Sequence, residues 1–526
     1  MMNQIAKSLL GIGLILKLSA LPCVAVGDGV SEKKTVSLER LPGAGTRIAS
    51  PAKSEQHPDR VYHVTAWFEE QLLGDGGAYE RRAKEFSRDS GWGRQKLREE
   101  TIAVLKSASE KSFAEATPSI EKLVKEGVLR GVERHWIVNG FSGAMLGRDL
   151  ERLKEVKGVR EVFVTKEREP ESQASYPAVF ATEVPSSHEI SYQGLPWYIT
   201  QLHADRVWKE LGVTGEGTLN VIQDGHFALS SHLNRTVYRN PKEIPGNGID
   251  DDKNGYVDDY HGFNFDKGTA QLHTRALTGS ANDKRILHGT SCANIVSGSG
   301  DGKSRAVFGV APGSQWAGVI NNSVGIERTV EWAIEQGADT YSMSFTRIHF
   351  GDFRSHWRKM VEHGNFCGLL FVSGAGNRRD QLPDPFEMHV PQSIPNAVFA
   401  AAGVHRDFEK TAFSCVGPVT WDTQHYNEGV VQKPEVCAFN FEVPCQMPDG
   451  QVNTAYLYGN SYAGPMFCGA ISLMLSADPD LLPWDLKEII MSTARDVGPK
   501  GIDYETGSGL IDCFAAVQEV LARKPQ

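Results

Sequence analysis

The sequence predicts an α/β fold, a doubly wound and mostly parallel sheet, preceded by a small α+β domain. Three observations predict it: the length, an irregular stretch near residue 180, and a change of pattern across that stretch. A chain of 526 residues exceeds what one hydrophobic core usually organises, so two globular units with connecting segments are expected. Residues 167–193 contain Pro170, Ser172, Ser175, Pro177, Pro185 and a Ser186-Ser187 pair, the composition of an exposed connection. Beyond it, apolar runs at 219–222, 307–310, 316–320, 330–336, 369–372 and 397–402 alternate with helical patterns. Such alternation suits a parallel sheet covered by crossover helices, in which chemistry collects at the carboxyl ends of the strands.

The elements read in order give five segments. Residues 1–25 have Lys7, an apolar stretch at 8–16 and small residues around Val24 and Ala25, the layout of a signal peptide; a secreted or periplasmic protein is the expectation. Residues 26–59 are poor in large apolar side chains and read as a linker. Residues 60–166 form the α+β domain. Within it 94–126 has apolar residues three and four apart (Leu97, Ile102, Leu105; Ile120, Leu123, Val124), predicting helices interrupted near Pro118. Trp136 to Phe141 reads as a strand, 149–156 as a short helix and 159–164 as another strand. Residues 167–195 are a linker, and 196–526 the large α/β domain.

Composition excludes some functions. A formal charge of -10 without a Lys/Arg-rich stripe disfavours a protein that binds nucleic-acid phosphates. No apolar run outside the N-terminus is long enough to span a bilayer, and a monomer is expected. The chain has eight cysteines, one of them inside the predicted signal peptide. The odd remainder leaves at least one free thiol. Cys437 and Cys445 flank a short loop and are disulfide candidates, with a buried free thiol the alternative for Cys437.

Two motifs carry nucleophilic chemistry. His288-Gly289-Thr290-Ser291-Cys292-Ala293 opens a helix-compatible run, which puts an imidazole at a helix start. In Gly459-Asn460-Ser461-Tyr462-Ala463-Gly464-Pro465 a glycine-flanked serine precedes the run 466–475. Pro465 fixes the helix entry, and the helix N-terminus favours negative charge near the serine oxygen. Further landmarks follow in order: Gly309-Val310-Ala311-Pro312, the strand Ala338 to Ser344, Gly374-Ala375-Gly376-Asn377, Lys433-Pro434-Glu435-Val436 and Gly507 to Asp512.

Together these motifs resemble those of the subtilase family of serine peptidases over roughly 197–521. The resemblance implies a subtilisin-like sheet, Ser461 as nucleophile, His288 as general base and then acid, and Asn377 as a side-chain donor to the oxyanion. The substrate is then a peptide or protein. Residues 60–166 resemble the propeptides of bacillopeptidase-like subtilases, which implies an inhibitory partner carried in the same chain and processing within 167–193.

The third member of the triad departs from the family. Aligning Val221-Ile222-Gln223-Asp224-Gly225 with the family's apolar-apolar-Asp-Thr/Ser-Gly puts Gln223 on the catalytic Asp, with Asp224 one residue late. Neighbouring side chains on a strand face opposite ways, so Asp224 serves only if a slip or bulge turns it inward. Otherwise the chain is a catalytically silent subtilase-fold protein acting in binding or regulation. Thr346 stands where the family often has Gly, and 319–324 is short for the strand beside the substrate channel. Cys292 is expected beneath the imidazole as core packing.

Between 247 and 259, Asp250, Asp252 and Asn254 precede Gly255 at the spacing of a calcium loop. His261 occupies the closing position, so Asp258 or Asp259 has to supply the last carboxylate. Structural calcium held by Asp250, Asp252, Asn254 and Asp258 is the expectation, with a solvated acidic turn the alternative.

Overall fold

A seven-stranded parallel sheet forms the centre of the computed structural model, in the order β14-β13-β12-β11-β8-β10-β9. The structure describes residues 35–49, 57–166, 194–229, 233, 235–272, 288–300, 307–348, 350–380, 388–445 and 455–524. The predicted signal peptide and the predicted processing segment 167–193 lie outside the described residues.

The strands of this sheet are β8 (Leu219–Gln223), β9 (Gly262–Asn264), β10 (Gln315–Ile320), β11 (Thr340–Met343), β12 (Leu370–Gly374), β13 (Val398–Val404) and β14 (Val436–Phe439). The sheet is doubly wound as expected. From β8 the chain adds β9 and β10 on one side, then crosses to β11, β12, β13 and β14 on the other. The carboxyl end of β8 therefore lies at the switch point, where open sheets form their crevice. Of the predicted apolar runs, 307–310 is a loop whose backbone N–H groups bond the end of a helix at Gly298 and Ile295, and 330–336 belongs to a helix.

Helices cover both faces. On one lie α3 (His288–Ser297) and α6 (Asn460–Ala477); on the other lie α4 (Glu327–Glu335) and α5 (Phe353–Phe366). Buried on both sides, the strands are largely apolar, as in β12 (Leu-Phe-Val-Ser-Gly) and β13 (Val-Phe-Ala-Ala-Ala-Gly-Val). Helices α7 (Pro483–Thr493) and α8 (Cys513–Arg523) complete the C-terminal side.

The N-terminal region is a five-stranded sheet ordered β2-β7-β3-β6-β5: β2 (Arg47–Ala49), β3 (Val61–Phe68), β5 (Leu129–His135), β6 (Gly140–Leu146) and β7 (Val159–Lys166). The predicted linker 26–59 is thus partly structure. Ala49 is buried on β2, which pairs with β7, and β1 (Glu39–Arg40) pairs with β4 (Glu70–Gln71). Helix α1 (Ala78–Glu85) precedes α2 (Arg94–Lys125), which runs unbroken through Pro118. Around the proline, Thr117 Oγ1 donates to Phe113 O and Ser119 Oγ to Ala116 O. Trp136-Ile137-Val138-Asn139 is not a strand but the turn of the β5–β6 hairpin, with Asn139 at φ 36°.

Strand alternation explains how this sheet binds the larger one. Val64, Ala66 and Phe68 of β3 pack with Ala116, Ile120 and Leu123 of α2. The residues between them face the opposite way: Thr65 Oγ1 donates to Glu327 Oε1 at 3.4 Å and Trp67 Nε1 to His356 Nδ1 at 3.1 Å. Trp67, Trp136, Ile137, Val138 and Phe163 share one apolar core with α4 and α5. Arg94, only 2 % exposed, donates to Asp339 Oδ1 at 2.6 Å, and Arg98 donates to the α4 carbonyl of Ile334. The regions read as separate domains pack as a single unit from Val36 onward.

Candidate active site

Strand β8 ends at Gln223, and Asp224 is the first residue beyond it, with its N–H still bonded to Val319 O at 2.9 Å. Alternation assigns the faces. Asn220 takes bonds from Thr340 and Ser472, on the α6 side. Gln223 bonds Tyr341 and Asn321, and Tyr341 in turn reaches Thr329 of α4. Asp224 therefore turns toward α3 and α6 with no bulge, and Gln223 turns away. Asp224 Oδ2 lies 2.6 Å from His288 Nδ1. The expectation that Gln223 takes the acid's place is corrected: Asp224, not Gln223, is the residue presented to His288.

Close approach makes this contact possible. At Gly289 a Cβ would lie 2.5 Å from His226 O and 2.8 Å from Asp224 Cβ, so only glycine lets the α3 N-terminus reach Asp224. Burial disfavours the charged imidazole, but the Asp224 charge and hydrogen bond outweigh it and hold His288 above its ordinary pKa.

Ser461 sits in the first turn of α6, after Gly459 at φ 134°. The ring of the next residue, Tyr462, is 5.7 Å from that of His288. Proline at 465 has no N–H to give the carbonyl four residues earlier, that of Ser461. Two other groups fill the place: Ser344 Oγ donates at 2.9 Å and Cys292 Sγ at 3.4 Å. The Cys292 thiol also lies 4.0 Å from Asp224 Oδ2, and burial with that carboxylate pushes its pKa far up. It is thus a neutral packing group, as expected. Ser461 Oγ, partly exposed, points to Ser344 O at 3.5 Å.

Asn377 follows β12 and is exposed. Its Oδ1 accepts from Asn460 N at 2.7 Å. With Oδ1 committed to the backbone just before Ser461, the Nδ2 hydrogens remain available, the arrangement an oxyanion donor needs.

The carboxyl end of the sheet thus brings together Asp224, His288, Ser461 and Asn377, drawn from four separate segments. Residues 220–509 match the model of the subtilase family, Peptidase_S8. The chain belongs to the subtilase family. Subtilisin-like protease 1 of Plasmodium berghei is 24 % identical over 365 residues, 63 % of this chain and 55 % of that protein. Fervidolysin of Fervidobacterium pennivorans is 24 % identical over 252 residues, 44 % of this chain and 34 % of that one. Bacillopeptidase F of Bacillus subtilis is 22 % identical over 448 residues, 80 % of this chain and 29 % of that one. The chain spans between 29 % and 55 % of the length of these relatives.

In this subtilase Thr346 is tied down, its Oγ1 accepting from Gln392 Nε2 at 2.6 Å. None of the seven cysteines among the described residues is in a disulfide and all are buried, so Cys437 and Cys445 are separate thiols.

The acidic loop is arranged differently from the spacing rule. Asp250 accepts the N–H groups of Asn254 and Gly255, and Asp258 those of Asn247 and Gly248. Asn254 points its Nδ2, not its oxygen, at Asp259. These three side chains hold the turn together. Asp252 accepts the Asn254 N–H as well, and it converges with Glu243 and Asp259, the three offering carboxylate oxygens all within 4.8 Å of one another. Glu243 Oε2 is buried without a hydrogen-bond partner. Burial pushes the pKa values of Glu243 and Asp259 up. Glu243 precedes the motif, where no spacing rule points, and Ser344 has no signal beyond its place at a strand end.

Proposed function

We propose that this chain is an exported serine endopeptidase that hydrolyses peptide bonds through an acyl-enzyme at Ser461. The observation that carries the reading is the 2.6 Å contact of Asp224 with His288. It fixes the imidazole tautomer with the proton on Nδ1, leaves Nε2 to accept the Ser461 proton, and stabilises the imidazolium that results. Asn377 Nδ2 and the Ser461 N–H are the donors for the tetrahedral oxyanion. The ground for a silent subtilase, Gln223, faces the opposite side of the sheet. A fluorophosphonate probe tests the reading: labelling that vanishes in Ser461→Ala supports it, and folded protein that never labels overturns it.

The N-terminal region, packed on α4 and α5, acts in this reading as a propeptide-like inhibitor of a zymogen, with processing within 167–193 and a monomeric product. Calcium fits the Glu243, Asp252 and Asp259 cluster, because a divalent cation relieves three crowded carboxylates and partners the orphaned Glu243 oxygen. Its role is structural, pinning the loop beside β9.

A further inference from the structure

Gln223 occupies a position that sequence logic assigns either to the catalytic acid or to an apolar core residue, and it is neither. Its side chain is 1 % exposed, and both ends of its amide are used. Nε2 donates to Asn321 O at 2.8 Å, and Oε1 accepts the Tyr341 hydroxyl at 2.8 Å. That hydroxyl also lies 2.8 Å from Thr329 Oγ1, which donates to Ile326 O at 2.7 Å. The chain of contacts ties the end of β8 to the loop after β10, to β11 and to the start of α4. Tyr341 and Thr329 are both fully buried.

A buried amide is expensive unless every bond is made, and a plain apolar side chain would fill the same space. What the amide adds is direction: it fixes the strand end from two sides just where the ladder stops. The next residue lies past the strand: the Asp224 N–H bonds Val319 O, and its carboxylate meets the adjacent Gly225 N–H, His288 and, at 4.0 Å, the Cys292 thiol. We propose that Gln223 is a positioning residue for the Asp224–His288 pair, clamping the end of β8 to Asn321 and Tyr341 so that Asp224 presents its carboxylate to the imidazole. The proposal rests on the triad reading above.

The test measures fluorophosphonate labelling of Ser461 against pH in the full chain, together with the melting temperature, for wild type, Gln223→Met and Tyr341→Phe. Asp224 is the group that raises the His288 pKa, against burial that lowers it. The other groups at the ring are the Tyr462 aromatic face and the neutral Cys292 thiol. Loosening Asp224 should therefore shift the labelling midpoint to lower pH in Gln223→Met and reduce the plateau rate about tenfold. Tyr341→Phe, which keeps the ring, should move the midpoint the same way by less. If Gln223→Met does not fold, Tyr341→Phe decides alone. A midpoint unmoved or raised in the folded variants, even with a lowered melting temperature, overturns the proposal. A wild type that never labels overturns the triad reading and this proposal with it; a labelling wild type with unmoved midpoints overturns this proposal only.

Discussion

Asp224 meets His288 at 2.6 Å from the first residue past its strand, while Gln223 beside it faces the opposite layer of helices. Substituting each residue separates the two roles. Asp224→Asn should lower the labelling rate of Ser461 by about 10⁴-fold, because the amide favours the wrong tautomer and gives the imidazolium no charge. Gln223→Asp in that background should restore nothing, since its carboxylate would lie on the far side of the sheet.

Asn377→Ala removes a donor to the developing oxyanion. Turnover on a casein-type substrate should fall about 10²–10³-fold with KM little changed, a size taken from the corresponding substitution in subtilisin. Because Asn377 Oδ1 also accepts the Asn460 N–H, Asn377→Asp, which keeps that acceptor but replaces the donor with a negative charge, should be at least as slow.

Gly289→Ala places a methyl group 2.8 Å from Asp224 Cβ and 2.5 Å from a backbone oxygen. The α3 N-terminus must then retreat from Asp224. Labelling of Ser461 should drop at least tenfold, and circular dichroism should report the native helix content.

Calcium should raise the melting temperature and chelation should lower it. Glu243→Gln should abolish most of the calcium response, while Asp258→Asn should leave it largely intact, because Asp258 is engaged with the backbone of 247 and 248.

Acid should loosen the N-terminal sheet from α4 and α5. Burial pushes His63 down to about 4 against the pull of Glu327, with His356 and His135 adding to the shift; burial and Lys359 do the same to His425, against Glu161. A depressed histidine contributes stability that is complete above the ordinary value near ~6.5 and is lost as pH falls through the folded value. His135 works the other way: burial opposes its charge, but Glu327 and Glu331 outweigh it and raise its pKa. The net expectation is a stability that falls between about pH 6.5 and 4 by on the order of 2 kcal/mol, read as a lowered melting temperature. His425→Gln should flatten that slope.

Much of this was legible in the sequence, for physical reasons. The strand cores, the two helix starts at His288 and Ser461, and the glycines around them are local signals. Asp224 was not assignable, because a one-residue ambiguity in where a strand ends inverts every side chain after it, and only the contacts of Asn220 and Gln223 with opposite helices resolve it. The acidic loop was legible only in part for a related reason. Spacing found the turn, but the turn's own N–H groups consume Asp250 and Asp258, and Glu243 comes from outside the motif. Likewise Trp136 to Val138 has a strand's composition because it is buried, yet it is a turn buried by a neighbour and not by its own sheet.

The apolar layer shared by β3, β7, the 136–138 turn, α4 and α5 binds the history of the two halves together. A change at Trp67 must be answered at His356, and one at Arg94 must be answered at Asp339, so neither half can be exchanged with a cousin's counterpart without carrying its opposite surface along. Grafting experiments with this protein should therefore succeed for loops around the catalytic crevice and fail when the seam itself is cut.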